Sequence, residues 1–265
     1  MELRVLTPEE AASAENLIKE VFFASEEGAE AGPDSSFLAL LQEQKEAGLW
    51  LGVFDPDLIG AAVFDAAESR ILYLCVAPDH RRRGYGKALL NHLRELPESW
   101  DAGRILIHSV PSAEEFWTVM GFEETGAEEN YEGLAMKPME LLLDRKYLGR
   151  EVTVCVDHPY GSFHETIADE QYACNCGYVE ELADQSGIFR DAYVYGPQEP
   201  LEEFKGIVIG LVYRSGGDAC RWIVAADAAA PHDAVISAIG FQEQYCDTRI
   251  LWAGEEESRQ DALLS

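Results

Sequence analysis

Seven consecutive residues carry the strongest chemical signal in this sequence: Arg81-Arg82-Arg83-Gly84-Tyr85-Gly86-Lys87. They bring four cations together in a chain whose formal net charge is −29. Glycines allow successive backbone N–H groups to converge on one anion, and the flanking cationic side chains complement a phosphate dianion. The alternative is a solvated basic loop whose glycines serve only a turn.

The elements on either side of this loop favour the phosphate-binding interpretation. An apolar run ending at Leu74-Cys75-Val76 predicts a strand before it, and the amphipathic pattern after it predicts a helix. Strand, loop and helix in this order place a helix N-terminus, with its unpaired N–H groups and favourable dipole, at the bound anion.

The remaining N-terminal part predicts a mixed α/β arrangement. Thr7-Pro8-Glu9-Glu10 forms a capping box at the start of a helix, and a second helix is predicted over 37–48. Apolar runs at 49–55, 58–65 and 71–78 predict an antiparallel meander. Downstream of the loop helix, a strand, a short helix and a closing strand are predicted at 105–110, 113–120 and 135–143.

The texture of the sequence changes from Glu151 onwards. Short β-rich runs are joined by Gly, Pro and Asp turns, and the only clear helical pattern covers 233–245. This pattern is typical of a small β-barrel with a C-terminal helix. The predicted fold class is therefore α/β (α+β), with a mixed central sheet and flanking helices in domain 1–145, followed by a barrel domain at 150–253.

Composition and charge exclude several classes of function. The chain has 265 residues, 47% hydrophobic and 26% charged, as in globular proteins. A net charge of −29 disfavours nucleic acids and anionic membranes and favours cationic partners. No apolar run reaches the roughly 20 residues of a membrane span, and no signal peptide pattern is present, so a cytoplasmic protein is predicted. The six cysteines lie within or beside apolar runs and are interpreted as reduced thiols. The Cys174-Asn175-Cys176 spacing suits zinc poorly.

Residues 74–93, LCVAPDHRRRGYGKALLNHL, resemble the acetyl-CoA loop of the GNAT superfamily of N-acetyltransferases. Arg81, Gly84 and Gly86 fill its pattern, Arg/Gln-x-x-Gly-x-Gly/Ala, and the element order also matches across roughly residues 2–143. The resemblance implies that the amides of 82–87 hold the pyrophosphate of coenzyme A. It also implies that backbone groups of Leu74, Cys75 and Val76 align the pantetheine and polarise the thioester.

The sequence departs from this family at its general acid. Many members have a tyrosine shortly before Gly-Phe, whereas this chain has Phe116-Trp117 before Gly121-Phe122. Trp117 can pack on the cofactor but has no titratable proton to give. The candidate replacements are His108 as a base and Tyr73 or Tyr131 as an acid, each against the alternative of plain packing. Glu68 could hold a water or lie in a solvated turn, and transfer without any dedicated acid is also open.

The C-terminal half, about residues 151–250, resembles the barrel of soluble inorganic pyrophosphatases. The resemblance rests on four segments: 157–162, 172–178, 191–194 and 199–201. That family needs several acids around magnesium, in an Asp-x-Asp-Pro-x-Asp run, but the stretch Ser186–Asp191 keeps only its last Asp, and Phe163 stands where an arginine is expected. Four acids could rebuild a metal site or form a solvated acidic face: Asp169, Glu170, Glu180 and Glu181.

Together these observations predict an N-acetyltransferase that moves an acetyl group from acetyl-CoA to a primary amine. The expected acceptor is a small-molecule amine or a basic peptide, and no metal is expected. The second domain is expected to be non-catalytic, serving in binding, homodimer formation or shielding. Two rival hypotheses are a protein that binds an acyl-CoA without turning it over, and a magnesium-dependent phosphoanhydride hydrolase that uses the second domain.

Overall fold

The computed structural model describes most of the chain in two compact units. One unit comprises residues 1–99 and 105–141, and the other comprises residues 100–104 and 142–265. The described residues are 1–23, 43–44, 47–96, 103–131, 134–164, 170–180, 189–214 and 219–254. The second predicted helix, at 37–48, falls largely outside them.

The first unit contains an eight-stranded mixed sheet in the order β1-β2-β3-β4-β5-β8-β6, with β7 paired to β8. β2, β3 and β4 form the predicted antiparallel meander, and β5 runs parallel to β4. The strands are β1 Glu2–Val5, β2 Leu49–Phe54, β3 Leu58–Asp65, β4 Arg70–Val76, β5 Arg104–Ser109, β6 Glu123–Glu124, β7 Glu129–Tyr131 and β8 Leu134–Leu142.

Three helices of the first unit lie wholly within the described residues: α1 Pro8–Phe23, α2 Tyr85–Glu95 and α3 Glu114–Val119. The capping box predicted for α1 is confirmed, because Thr7 N donates to Glu10 Oε2 at 3.0 Å and Glu10 N donates to Thr7 Oγ1 at 3.4 Å. α1 buries Ala14 and Ile18 against Ala61 of β3. α2 lies on the opposite face, since Leu89 approaches Gly60, the neighbour of Ala61, and strand side chains alternate between faces.

The second unit contains a closed five-stranded barrel, as the sequence predicts. Its strands pair in the order β13-β11-β10-β9-β12, and β12 returns to β13, which closes the ring. The strands are β9 Glu151–His158, β10 Asn175–Val179, β11 Arg190–Tyr195, β12 Glu203–Arg214 and β13 Arg221–Ala225. The predicted helix follows as α4 His232–Glu243, and Tyr193 joins it to the barrel by donating to Glu243.

The end of the second unit differs from the sequence prediction. The chain does not finish on the helix, because a further strand, β14 Thr248–Trp252, adds to the outside of β12. The polar and apolar residues of Thr-Arg-Ile-Leu-Trp form too short a pattern to distinguish a strand from a continuation of the preceding helix. Pairing with β12 therefore determines its structure.

A buried ion pair holds one end of the barrel to a short 3-10 turn at Asp144–Tyr147. Arg190 Nε donates to Asp144 Oδ2 at 2.7 Å, and both side chains are almost wholly buried. Trp222 Nε1 donates to the same oxygen at 3.0 Å. The carboxylate thus has partners that offset its removal from water.

Candidate active site

The basic loop forms a backbone cradle at the start of α2. The loop turns through two left-handed residues, Arg82 with φ +62° and Gly84 with φ +88°. Gly84 is the N-cap of α2, and no side chain caps this end among the described residues. The first intrahelical bond is Ala88 N to Gly84 O, at 2.9 Å, so the three preceding amides of the helix have no intrahelical acceptor.

Open space faces this cradle. A Cβ added at Gly84 would meet no atom within 4 Å. Arg82 and Lys87 are exposed, and within the described ranges neither makes a hydrogen bond or an ion pair. Free amides, open space and uncommitted cations in one place are what a phosphate group requires.

Tyr85 anchors the loop rather than facing it. Its hydroxyl donates to Asp55 Oδ2 in the turn between β2 and β3, and its ring is buried. This hydrogen bond raises the pKa of Tyr85 and lowers the pKa of Asp55. Only the backbone amide of Tyr85 is therefore available to a ligand.

Strands β4 and β5 stop pairing beside this loop, and the unpaired edge of β4 that faces β5 is called the slot. Within the part of the chain that the structure describes, they pair at one position, Arg70 opposite Leu106, where Leu106 N donates to Ser69 O. The β3–β4 register slips at Leu72, which has no partner on β3. After a bulge of this kind, each following N–H and C=O group points to the opposite edge of the strand from the one it would face in a regular ladder.

The direction of the peptide groups in β4 follows from its hydrogen bonds. Ala77 N donates to Ile59 O, so the peptide groups at this position face β3. Because successive peptide groups in a strand alternate in direction, those of Cys75 also face β3, and those of Leu74 and Val76 face the slot. β5 supplies no ladder partner for them among the described residues. The slot therefore has hydrogen-bonding edges along β4.

Two side chains near the end of β4, those of Arg81 and Cys75, are engaged by neighbouring protein groups. Arg81 Nε donates to the carbonyl oxygen of Val76 at 3.1 Å. Burial raises the pKa of Cys75 to about 12, so its thiol is not a nucleophile at neutral pH.

The aromatic side chain beside the cradle is Phe116, which the sequence analysis did not select. Its ring lies 3.5 Å from the position of a Cβ on Gly86, and Leu74 lies 3.6 Å from the same point. Trp117 is instead buried in edge contact with Phe116 and Phe122. Helical spacing alone cannot separate these adjacent residues, because the angle at which α3 packs decides which of them reaches the loop.

His108 is half-buried on β5 and is held by a neighbouring cation. Arg70 Nη1 lies 2.7 Å from Nδ1 of His108, and Glu129 Oε2 lies 3.7 Å from Nε2. A guanidinium only donates, so Nδ1 accepts and the proton of the neutral ring is on Nε2. Burial and Arg70 lower the pKa of His108, which keeps it neutral near pH 7. To accept a proton it must release Arg70.

The other proposed catalytic side chains are more scattered. Tyr73 packs edge-on against Phe22 of α1. Tyr131 pairs with Leu134 through its backbone on β7, and its side chain is outside what the structure describes. Glu68 is exposed in the turn before β4, where its amide donates to Asp65 Oδ1 at 3.3 Å, as a solvated turn predicts.

Those of the acids selected in the barrel that the structure describes do not gather around one point. Asp191 lies 3.5 Å from Arg221, Glu180 is exposed, and Phe163 is 68% exposed. Asp169, Glu181 and residues 186–188 lie outside the described residues. Among the residues that are described, no three His, Cys, Asp or Glu side chains converge as a metal site. The cysteines carry free thiols, with Cys174 and Cys176 buried.

Comparison with known proteins supports the first unit's assignment. Residues 24–143 match the family model described as an acetyltransferase (GNAT) domain. A search of curated proteins found no match. No described helix is both long and apolar enough to cross a membrane.

Several solved structures are similar to this chain at low identity. A GCN5-related N-acetyltransferase from Rhodopseudomonas palustris is 21% identical, covering 54% of this chain and 95% of its own, with a TM-score of 0.44. The ribosomal-protein-S18-alanine N-acetyltransferase of Escherichia coli is 21% identical, with coverages of 54% and 93% and a TM-score of 0.43. YncA from Salmonella typhimurium, solved with its cofactor acetyl-CoA, is 17% identical, with coverages of 55% and 95% and a TM-score of 0.42.

The resemblance of the second unit to pyrophosphatases stays a hypothesis. The family-model match, together with the loop and its neighbouring strand, identifies the chain as an acyltransferase whose N-terminal unit contains a GNAT acetyltransferase domain.

Proposed function

We propose that the first unit transfers an acetyl group from acetyl-CoA to a primary amine by direct attack of the amine on the thioester. The observation that carries the proposal is the slot between β4 and β5, which opens beside the uncapped start of α2. The loop end of this site offers amides and cations, and the strand end offers the hydrogen-bonding edge of β4.

The residues of this site suit the two chemical parts of coenzyme A. The amides of the loop and of the first turn of α2, with Arg82, Arg83 and Lys87, would hold the pyrophosphate. The backbone groups of Leu74 and Val76 would hydrogen-bond the amides of the pantetheine, as a neighbouring strand does. Acetyl-CoA supplies an activated acyl group, and a slot N–H would polarise its carbonyl.

Proton transfer is proposed for three side chains outside the basic loop. We propose His108 as the group that takes the proton of the amine, because it lies on β5 and is kept neutral. Tyr73 and Tyr131 remain the candidate acids for the leaving thiolate. Trp117 occupies the position where a phenol is expected and cannot serve.

The acceptor is proposed to be cationic, either a small amine or the basic end of a peptide. The net charge of −29 raises the local concentration of such molecules near the protein. The second unit is proposed to bind or shield rather than to react, since its described acids do not converge. Magnesium-dependent release of phosphate from a phosphoanhydride would contradict this.

Calorimetric titration of acetyl-CoA into the full chain tests the site. Gly84→Asn places a side chain in the open space of the cradle, and Asn tolerates the left-handed backbone found there. We expect affinity for acetyl-CoA to fall about tenfold or more, the equivalent of one charge-assisted hydrogen bond.

The matched control is Gly149→Asn in the second unit. Gly149 also has a positive φ, +76°, and open space at its Cβ position. It should carry the same backbone strain and bind acetyl-CoA as the wild type does. Absence of binding by the folded wild-type protein would overturn the proposed function. Binding without turnover against a broad panel of amines would favour a sensor instead.

A further inference from the structure

Arg81 differs from the other cations of the loop because its side chain turns back onto β4. Its Nε donates to the carbonyl oxygen of Val76, 3.1 Å away. Arg82 and Lys87, by contrast, have no hydrogen bond or ion pair with any described residue. The most direct interpretation of a basic loop, that all its cations face the phosphate, therefore does not hold for Arg81.

The carbonyl that Arg81 binds is one of the peptide groups facing the slot. The direction of Ala77 N towards Ile59 O fixes this, because peptide groups alternate along the strand. Among the described residues, β5 donates no ladder hydrogen bond to the Val76 carbonyl oxygen. Left unpaired, this oxygen would face an incoming carbonyl oxygen with like partial charge, and a ligand filling the slot would bury it without a partner.

Arg81 also joins the two halves of the site. Val76 is the last residue of β4, and Arg81 directly precedes the left-handed turn at Arg82 that leads into the cradle. One hydrogen bond therefore fixes the end of the strand that would take the pantetheine relative to the loop that would take the pyrophosphate. With its carbonyl held, Val76 keeps its N–H directed into the slot.

We infer that Arg81 is a positioning residue of the acyl-donor site, which binds the Val76 carbonyl through Nε and orients the adjoining peptide group, and is not primarily a phosphate ligand. The inference rests on the proposed function. It assigns the loop cations two roles: Arg81 serves the pantetheine end, and Lys87 serves the phosphate end.

Paired titrations separate the two roles. The ligands are acetyl-CoA and 3′-phosphoadenosine 5′-diphosphate, which keeps the phosphates and lacks the pantetheine. Arg81→Ala should weaken acetyl-CoA about tenfold more than the nucleotide, since only acetyl-CoA fills the slot. Lys87→Ala, which removes a charge from the same loop, should weaken both ligands by the same factor.

Arg81→Gln provides a rescue variant. The glutamine Nε2 is attached to Cδ, as the arginine Nε is, so an N–H donor is kept while the charge is lost. It should restore the preference for acetyl-CoA over the nucleotide that Arg81→Ala loses. Equal losses for both ligands in Arg81→Ala, or no loss in either, would overturn the inference. Failure of the wild type to bind acetyl-CoA would instead overturn the proposed function.

Discussion

Arg70, His108 and Glu129 form a chain of titratable and charged side chains that joins β4, β5 and β7. Arg70 occupies the Nδ1 lone pair of His108, and its charge is one of the causes that lower the pKa of the ring. If His108 takes the proton of the amine, activity depends on how readily Arg70 is released. In this role, His108 is a base whose availability Arg70 controls.

The pH dependence of kcat/KM tests this role. His108→Gln should reduce kcat/KM by about 10²- to 10⁴-fold, the usual contribution of a positioned base. Arg70→Met removes a like charge, so the pKa of His108 rises and the acid limb of the profile moves to higher pH. An unchanged profile in His108→Gln would show that the histidine is structural.

The same residues show where sequence reasoning ends. His108 could be selected from its chemistry, but Arg70 lies 38 positions away in sequence and no local pattern joins them. Arg81 could be selected as a cation, whereas its donation to Val76 depends on the turn between them. Residue type predicts what a side chain can do, and the packing of several elements determines what it does.

At the scale of elements, the N-terminus of α1 is held by one carboxylate with two kinds of partner. The Glu10 carboxylate accepts hydrogen bonds from Nη1 and Nη2 of Arg4, each at 2.6 Å, and from the amide of Thr7. Arg4 and Thr7 lower the pKa of Glu10 to about 2. A carboxyl whose pKa is lowered on folding stabilises the folded state fully at pH values above its unfolded pKa, near 4.5. This contribution is lost as the pH falls towards 2.

Glu10→Gln should therefore lower the urea midpoint of the transition that includes α1 at neutral pH. The difference from the wild type should shrink as the pH falls from about 4.5 towards 2, because the wild-type carboxyl is then protonated as well. Circular dichroism at matched pH values would measure it. Glu9→Gln, at an exposed neighbour, is the control; a difference that does not vary with pH would contradict the assignment.

Local elements of this kind were predictable, and the slot was not. The capping box, the meander and the helix after the glycine loop depend on residues close together in sequence, and all three are confirmed. The register slip at Leu72 depends on how β3 and β4 pair, and nothing in Ile71-Leu72-Tyr73 marks it. β14 was missed for the same reason, since β12 provides its partner.

At the scale of the whole molecule, the stretch around residue 144 belongs to the second unit. The boundary predicted at 145–150 would separate Asp144 from Arg190, although the two are buried together. A buried charge that loses its partner costs about 3–5 kcal/mol. The ion pair therefore determines where the second unit can be cut.

Two fragments test this dependence. Both fragments lack residues 100–104 and differ only at residues 142–149. Residues 142–254 retain Asp144, whereas residues 150–254 leave Arg190 and Trp222 without their shared acceptor. We expect the shorter fragment to be less stable by about 3–5 kcal/mol in urea unfolding. Asp144→Asn in the longer fragment should cause most of the same loss, and equal midpoints for the two fragments would contradict the expectation.

The second unit also includes residues 100–104, which lie far earlier in the chain than the rest of it. Gly103 accepts a hydrogen bond from Leu143, and Arg104 donates to the carbonyl of Arg214 at 2.6 Å. During synthesis this segment leaves the ribosome more than 100 residues before Arg214 does. Its partners are synthesised only after the first unit, which can begin to fold before they appear. The second unit can therefore be completed only when this early segment pairs with residues made much later.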